Sequence, residues 1–286
     1  MIKEITDMNI GEILDFTWER CQNQSTNAYP LRKTKIELEK SFMKSLKHPD
    51  DKVLAYYKED VLIGVIELCI EVSQYYLRGT TYILKDVEDV MSHLILYLKE
   101  NYPGFKAHFG YPKENVMTIN YLKSNQYKCI EESNDMRLSM SDLTSPSNKE
   151  SHIERLTKDC FHSYAMFHDS HGGEEMYWNS TRLYDAFDKW YIYLYKDRDE
   201  ILGSILTCKC GDDAIEIFGL FVEDTPNSKD IVEDLLYHSI LQIVDKELNI
   251  KKVIFFIDEK DRLQLEVARE IGFKEMGSYY CYEMML

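Results

Sequence analysis

VLAYYKEDVLIGVIELC, Val53–Cys69, has a counterpart later in the chain in YIYLYKDRDEILGSILTC, Tyr191–Cys208. Both stretches run through an apolar and aromatic segment, cross a short charged turn and return through an apolar segment. That is the pattern of a β-hairpin. Gly64 falls opposite Gly203 and Cys69 opposite Cys208, each 139 residues apart. A second pair of blocks keeps the order, since NQYKCIEES (Asn125–Ser133) resembles IGFKEMGS (Ile271–Ser278). Gln126–Tyr127 there stands opposite Gly272–Phe273, now 146 residues on, so the second copy carries a small insertion between the two blocks. With order and spacing both kept, the chain reads as one supersecondary plan used twice. The period is far too long for a solenoid, whose repeats run about 20–50 residues.

Working outward, the first copy opens on a strand at Ile2–Ile5, then a helix with Ile10, Ile13, Leu14 and Trp18 on one face. A second helix covers Thr34–Lys47 and stops before Pro49. The hairpin turns at Lys58–Asp60, a third strand covers Tyr75–Leu84, and Val90, Met91, Leu94, Ile95 and Leu98 mark a helix over Val87–Glu100. A strand (Phe105–Phe109), a helix (Glu114–Ser124) and two closing strands (Tyr127–Glu132, Met136–Met140) follow. The second copy repeats the plan. Its helices lie at Thr157–Phe167 and Trp178–Phe187, its strands at Trp190–Lys196, Ile201–Lys209 and Ala214–Val222. A helix over Lys229–Leu248, a strand (Lys252–Asp258), a helix (Arg262–Ile271) and strands at Lys274–Met276 and Tyr279–Met284 complete it. The expected fold class is α+β, in two domains, 1–140 and 152–286. The polar segment 141–151 links them.

Of the 286 residues, 44% are hydrophobic and 29% charged, enough for each half to bury a core and too apolar for a disordered chain. The net charge is −16. Up to residue 143 there are 18 basic and 22 acidic residues, or −4; beyond it 16 and 28, or −12. A field of that sign repels phosphate backbones and anionic lipid, which argues against nucleic acid and membrane partners. The seven cysteines are odd in number and form no C-x-x-C pair; Cys208 and Cys210 share a strand face but do not make a zinc site. Reduced thiols and an N-terminus without a signal-peptide pattern point to a cytoplasmic protein. No apolar run is long enough to span a bilayer. G-x-S-x-G, G-x-G-x-x-G and the P-loop pattern are all missing.

The order of two helices, an antiparallel meander, a helix, a strand, a helix and two strands resembles the GNAT N-acyltransferase superfamily, used twice over nearly the whole chain. EIFGLFV, Glu216–Val222, resembles the family's fourth strand. The resemblance implies that the amides of Leu220 and Val222 pair with the pantetheine arm of acetyl-CoA as an added strand. One of them would polarise the thioester carbonyl. It also implies that Glu216 is the general base that takes a proton from an amine. ENVMTINYLKSNQY (Glu114–Tyr127) and DRLQLEVAREIGF (Asp261–Phe273) resemble the family's late helix block, with Asn115 at its Asn position. The implied fold is a mixed, mostly antiparallel twisted sheet flanked by helices in each domain. The implied reaction moves an acetyl group from acetyl-CoA to a small-molecule amine or a peptide, with the second domain active.

The sequence departs from that family at two places. Its cofactor loop needs glycines at the start of the long helix, where helix N–H groups meet the pyrophosphate. The second copy offers NSKDIV, with Asn227, Ser228 and Lys229 as candidate contacts and Asp230 and Val232 where glycines belong. The first offers DVEDVM, whose Asp86 and Asp89, like Asp230, read as helix caps. The family's late-helix tyrosine, a general acid, is replaced by Leu122 and Ala268; Tyr279 or Tyr280 could stand in only if the last strand turns inward. FHDSHGGEEMYW, Phe167–Trp178, reads as a loop over the acceptor site, with His168, His171, Tyr177 and Trp178 as candidate substrate contacts and no metal. A non-catalytic binding or sensing module is the alternative. An opening between Ala214–Val222 and Lys252–Asp258 with bare amides favours the transferase; an opening plugged by side chains favours the module. The duplication suggests a monomer containing its own pseudo-dimer.

Overall fold

The computed structural model of the chain describes residues 1–6, 10–145, 151–172 and 176–286. Residues 146–150 of the expected linker and 173–175 of the Phe167–Trp178 stretch lie outside the described residues. In chain order the first copy forms β1 (Ile2–Glu4), α1 (Ile10–Cys21), α2 (Lys35–Lys47), β2 (Lys52–Lys58), β3 (Val61–Glu71), β4 (Tyr76–Ile83), α3 (Val87–Asn101), β5 (Lys106–Tyr111), α4 (Val116–Ser124) and β6 (Lys128–Ser139). The second forms β7 (Ile153–Arg155), α5 (Phe161–Gly172), α6 (Ser180–Asp185), β8 (Trp190–Asp197), β9 (Glu200–Lys209), β10 (Ala214–Val222), α7 (Ser228–Lys246), β11 (Lys252–Asp258), α8 (Arg262–Glu270) and β12 (Lys274–Met285).

Local chemistry sets these elements. Thr34 caps α2 by accepting from the Glu37 amide at 3.1 Å, and Glu37 accepts in return from the Lys33 amide at 2.8 Å. Apolar residues three and four apart put Val87, Val90, Met91, Leu94, Ile95 and Leu98 on the buried face of α3. Gly64 and Gly203, which the two copies share, lie where these long helices cross the sheet. A Cβ on Gly64 would meet Val90 of α3 at 2.9 Å, and one on Gly203 would meet Ile231 and Leu235 of α7 at 2.9 Å. The Gln126 and Gly272 pair is backbone chemistry too: both have positive φ, 60° and 110°.

Two compact units result, but they do not follow the 1–140 and 152–286 boundaries. One comprises Met1–Ser133 with Gly277–Leu286, the other Asn134–Met276. The first unit's sheet runs β1-β2-β3-β4-β5-β12 and the second's β6-β11-β10-β9-β8-β7. Each copy thus gives its closing strand to the other unit. β12 lies antiparallel to β5, from Tyr280 opposite Tyr111 to Met285 opposite Lys106. Tyr279 and Tyr280 therefore belong to the first unit's sheet.

The pairs of closing strands expected from sequence are single strands, β6 and β12. Polar residues that lie between the expected strands are satisfied in place. Asp135 is buried and held by Arg137 at 2.6 and 2.8 Å. Ser278 is buried, and its hydroxyl accepts from the Lys113 amide at 3.1 Å. In each unit two helices cover one sheet face and two the other. Among the described residues no helix is long and apolar enough to cross a membrane.

Candidate active site

The second unit's sheet opens between β10 and β11. Their parallel pairing runs from Ala214 opposite Lys252 to Ile217 opposite Phe255 and then stops. On its other edge β10 stays paired with β9 as far as Val222 opposite Gly203, after a register shift between Ile217 and Gly219. Phe218 is the extra residue, a β-bulge that bends the strand. The Glu223 amide donates to the Leu202 carbonyl at 2.8 Å. Alternation along an antiparallel strand then turns the amides of Leu220 and Val222 to the opposite edge, into the opening. The Leu220 carbonyl, on that same edge, accepts from Gln264 Nε2 of α8 at 2.9 Å. These are the two amides expected from sequence. Beyond Ile217 their edge has no partner strand among the described residues.

Glu216 stands just before the bulge. Across the strands Trp190, Cys208 and Glu216 lie side by side, so their side chains share one face, the face covered by α5 and α6. Phe218, 41% exposed, meets the Trp190 ring edge-to-face at 5.2 Å, and Trp190 meets Trp178 at 4.9 Å. Trp190 is 4% exposed and, among the described residues, its Nε1 has no hydrogen-bond partner. The two thiols near Glu216, Cys208 and Cys210, are held towards their protonated form. Burial and the Glu216 charge raise both, Cys210 to about 11.

The first part of the Phe167–Trp178 stretch, as far as Gly172, is helix and not the expected loop, so His168 and His171 lie within α5. His168 is 0% exposed. Its Nε2 donates to the Trp178 carbonyl at 2.7 Å, and its Nδ1 accepts from the Tyr164 hydroxyl at 3.0 Å. Burial lowers its pKa, so it is a neutral staple with neither nitrogen left for a ligand. His171 packs on Phe167 with ring centroids 4.2 Å apart and points Nε2 at Glu223, 3.5 Å away. Tyr177 carries the Arg182 guanidinium on its ring at 4.3 Å. Of the four, Trp178 is the one that reaches the aromatic group beside Glu216. Among the described residues no three His, Cys, Asp or Glu side chains converge as a metal site requires.

At the start of α7 two of the three candidate cofactor contacts, Ser228 and Lys229, are already engaged. The Ser228 hydroxyl accepts from the Thr225 amide at 2.8 Å and donates to the Thr225 carbonyl at 2.7 Å. The Ser228 amide donates to that same carbonyl at 3.1 Å. Lys229 donates to Glu266 at 2.6 Å and Glu270 at 2.9 Å, bonds that raise its pKa. Asn227 occupies the cap position without a side-chain cap bond. In the first unit Asp86 occupies the cap position of α3, also without a side-chain cap bond, and Asp89 lies inside the first turn. Both bind Lys58, at 2.9 and 3.3 Å, and Asp89 also accepts from the Tyr56 hydroxyl at 3.0 Å.

The first unit opens at the same place and closes the opening itself. β4 and β5 pair from Tyr76 opposite Lys106 to Gly79 opposite Phe109 and then part. β4 has no bulge, and Arg78 stands opposite Cys69 where Glu216 stands opposite Cys208. Asn27–Tyr29, between α1 and α2, enters the gap. The Tyr29 amide donates to the Gly110 carbonyl at 2.9 Å, and the Tyr29 carbonyl accepts from Thr80 Oγ1 at 3.1 Å. Thr80 and Gly110 are the first unpaired residues on each side. Asn115 Nδ2 donates to the Asn27 carbonyl at 2.9 Å. Ala28 is fully buried in the cluster formed by α3 and α4, although its flanking helices pack on the opposite sheet face.

Comparison with solved structures agrees with this architecture. A GCN5-related N-acetyltransferase from Sphaerobacter thermophilus superposes over 99% of this chain and 95% of its own, with a TM-score of 0.67 and 10% identity. A tandem GNAT protein from the clavulanic acid biosynthesis pathway covers 99% and 98%, at a TM-score of 0.57 and 10% identity. A GNAT-family acetyltransferase from Colwellia psychrerythraea covers 99% of both chains, at 0.53 and 13%. No protein-family model matches the sequence, and no curated protein matches it. The chain has the GNAT fold, duplicated in tandem.

Proposed function

We propose that the second unit is an N-acyltransferase that moves an acyl group, acetyl in the simplest case, from a pantetheine thioester such as acetyl-CoA to an amine. The observation that carries this reading is the one-sided opening at β10, where the Phe218 bulge leaves the Leu220 and Val222 amides facing a gap. A pantetheine arm laid in the gap can pair with those amides as an added strand. An amide there also stabilises negative charge on the thioester oxygen as it develops. Glu216 sits on the acceptor face and takes the ammonium proton, directly or through a water. The neutral amine then forms a C–N bond with the acyl carbon, the C–S bond breaks to release the thiolate, and the proton that the new amide nitrogen sheds passes through water to the thiolate. The face of Trp178, Trp190 and Phe218 beside Glu216 suits a cationic amine approaching an aromatic wall.

The alternative, a non-catalytic module, is favoured by a specific observation for the first unit. Its opening is filled by Asn27–Tyr29, and Arg78 holds the position of the base. The proposal therefore divides the roles: the second unit reacts, and the first contributes structure. The test is acyl transfer from acetyl-CoA to a panel of cationic amines, read by mass spectrometry, with Glu216→Gln as the paired variant. Product from the wild type that falls at least a hundredfold in Glu216→Gln supports the reading. No product from any amine, together with no binding of coenzyme A or pantetheine, removes it.

A further inference from the structure

We infer that the second unit recognises its donor through the uncharged pantetheine arm and that the nucleotide end of coenzyme A contributes no affinity. The inference rests on the transferase reading of this unit and narrows its donor. A pyrophosphate at the start of α7 needs free backbone N–H groups, small residues and uncompensated positive charge. The loop before α7 spends several of its N–H groups internally, has no glycine and leaves no cation uncompensated. The amides of Glu223, Thr225 and Ser228 already donate to the Leu202 carbonyl, the Ser228 hydroxyl and the Thr225 carbonyl. Position 226 is proline and has no N–H. Lys229, the one cation in the loop and first turn, is shared by Glu266 and Glu270. The charges that remain are Glu223, Asp224 and Asp230. The field is negative enough that burial and the charges of Glu270 and Asp230 together push the Glu233 carboxyl up. Coenzyme A would bring its diphosphate against this field. The pantetheine arm, uncharged, meets only the Leu220 and Val222 edge.

Calorimetric titration of the full chain with pantetheine and with coenzyme A separates the two contributions. The expected result is dissociation constants within tenfold of each other, with coenzyme A affinity unchanged or stronger as salt rises from about 50 to about 500 mM, because screening relieves the repulsion. Asp230→Arg should then tighten coenzyme A by about tenfold, the gain of roughly one favourable charge contact, and leave pantetheine unchanged. Coenzyme A binding tenfold or more tighter than pantetheine, or weakening with salt, would overturn the inference while leaving the transferase reading in place. Failure of both to bind would overturn the two together.

Discussion

At the junction of β4 and β5 the first unit keeps its register and fills the opening with its own chain. At the junction of β10 and β11 the second unit inserts Phe218 and leaves the edge bare. The strands on either side pair in corresponding registers, and three differences bear on the contrast. One residue is inserted, Glu216 replaces Arg78, and Asp261 replaces Asn115. The last change matters because a carboxylate has no N–H to give. Asn115 ties down the Asn27 carbonyl, whereas Asp261 only accepts, from the Gln264 amide at 3.0 Å. A duplicated fold can therefore leave one junction open and use the other as a piece of core.

The largest effect should follow from erasing that difference at its source. Deleting Phe218 gives β10 the register of β4 and removes the bend that sets the positions of Leu220 and Val222 in the gap. Acyl transfer should fall by about 10²–10³, the loss typical of a misplaced oxyanion donor. The far-ultraviolet circular dichroism should be kept. A folded deletion variant that retains a tenth of wild-type activity would mean that the bulge does not make the site. Next comes the base. Glu216→Gln should lower kcat by about 10², the lower end for a lost general base, while Arg78→Gln, at the corresponding place in the first unit, should leave it unchanged. Equal losses from both would break the assignment of roles.

Much of this organisation is legible in the sequence. The two hairpins, Gly64 with Gly203, and the positive-φ turn at Gln126 and Gly272 all reflect backbone constraints that leave a residue signature. The growth in offset between copies also has a physical source, since α7 has 19 residues and α3 has 15, with the adjoining loops longer as well. The decisive features left weaker traces. Phe218 shifts the offset by one residue within a single strand, and an apolar strand hides such a shift. The plug Asn27–Tyr29 has no periodicity, because a segment threaded between sheet edges is read neither as helix nor as strand. Trp190 and Gln264 go unnoticed for a similar reason: cross-strand and helix-to-strand contacts bring them to the site, and sequence spacing does not encode these. The Phe167–Trp178 stretch reads as a loop because of its histidines and glycines, yet His168 is helical since Tyr164 and the Trp178 carbonyl satisfy both its nitrogens.

Smaller effects sharpen the comparison through stability. Asn115→Ala should cost about 1–3 kcal/mol in urea unfolding, since the buried Asn27 carbonyl loses its donor and α4 its cap. Acyl transfer per folded molecule should stay the same. Asp261→Ala in the second unit should cost about 1 kcal/mol, the cap alone. If the Asn115 variant is the less affected of the two, the plug is not held as described. The smallest effect concerns pH. The folded pKa of His168 lies below its ordinary 6.5 because burial disfavours the imidazolium. The unfolded chain therefore takes up the proton first on acidification. The stabilisation is complete above about pH 6.5 and is lost as pH falls towards the folded value. His108, also lowered by burial, adds a slope of the same sign in the first unit. His168→Gln should flatten the decline between about pH 6.5 and 5 without abolishing it, as followed by thermal melting.

The central claim, one open junction and one closed, is tested most directly by amide hydrogen exchange with and without saturating pantetheine. The account predicts slowed exchange at Leu220 and Val222 and no change at Thr81 and Ile83, their counterparts on β4. Protection at Thr81 and Ile83, or ligand binding that leaves Leu220 and Val222 unprotected, would contradict it.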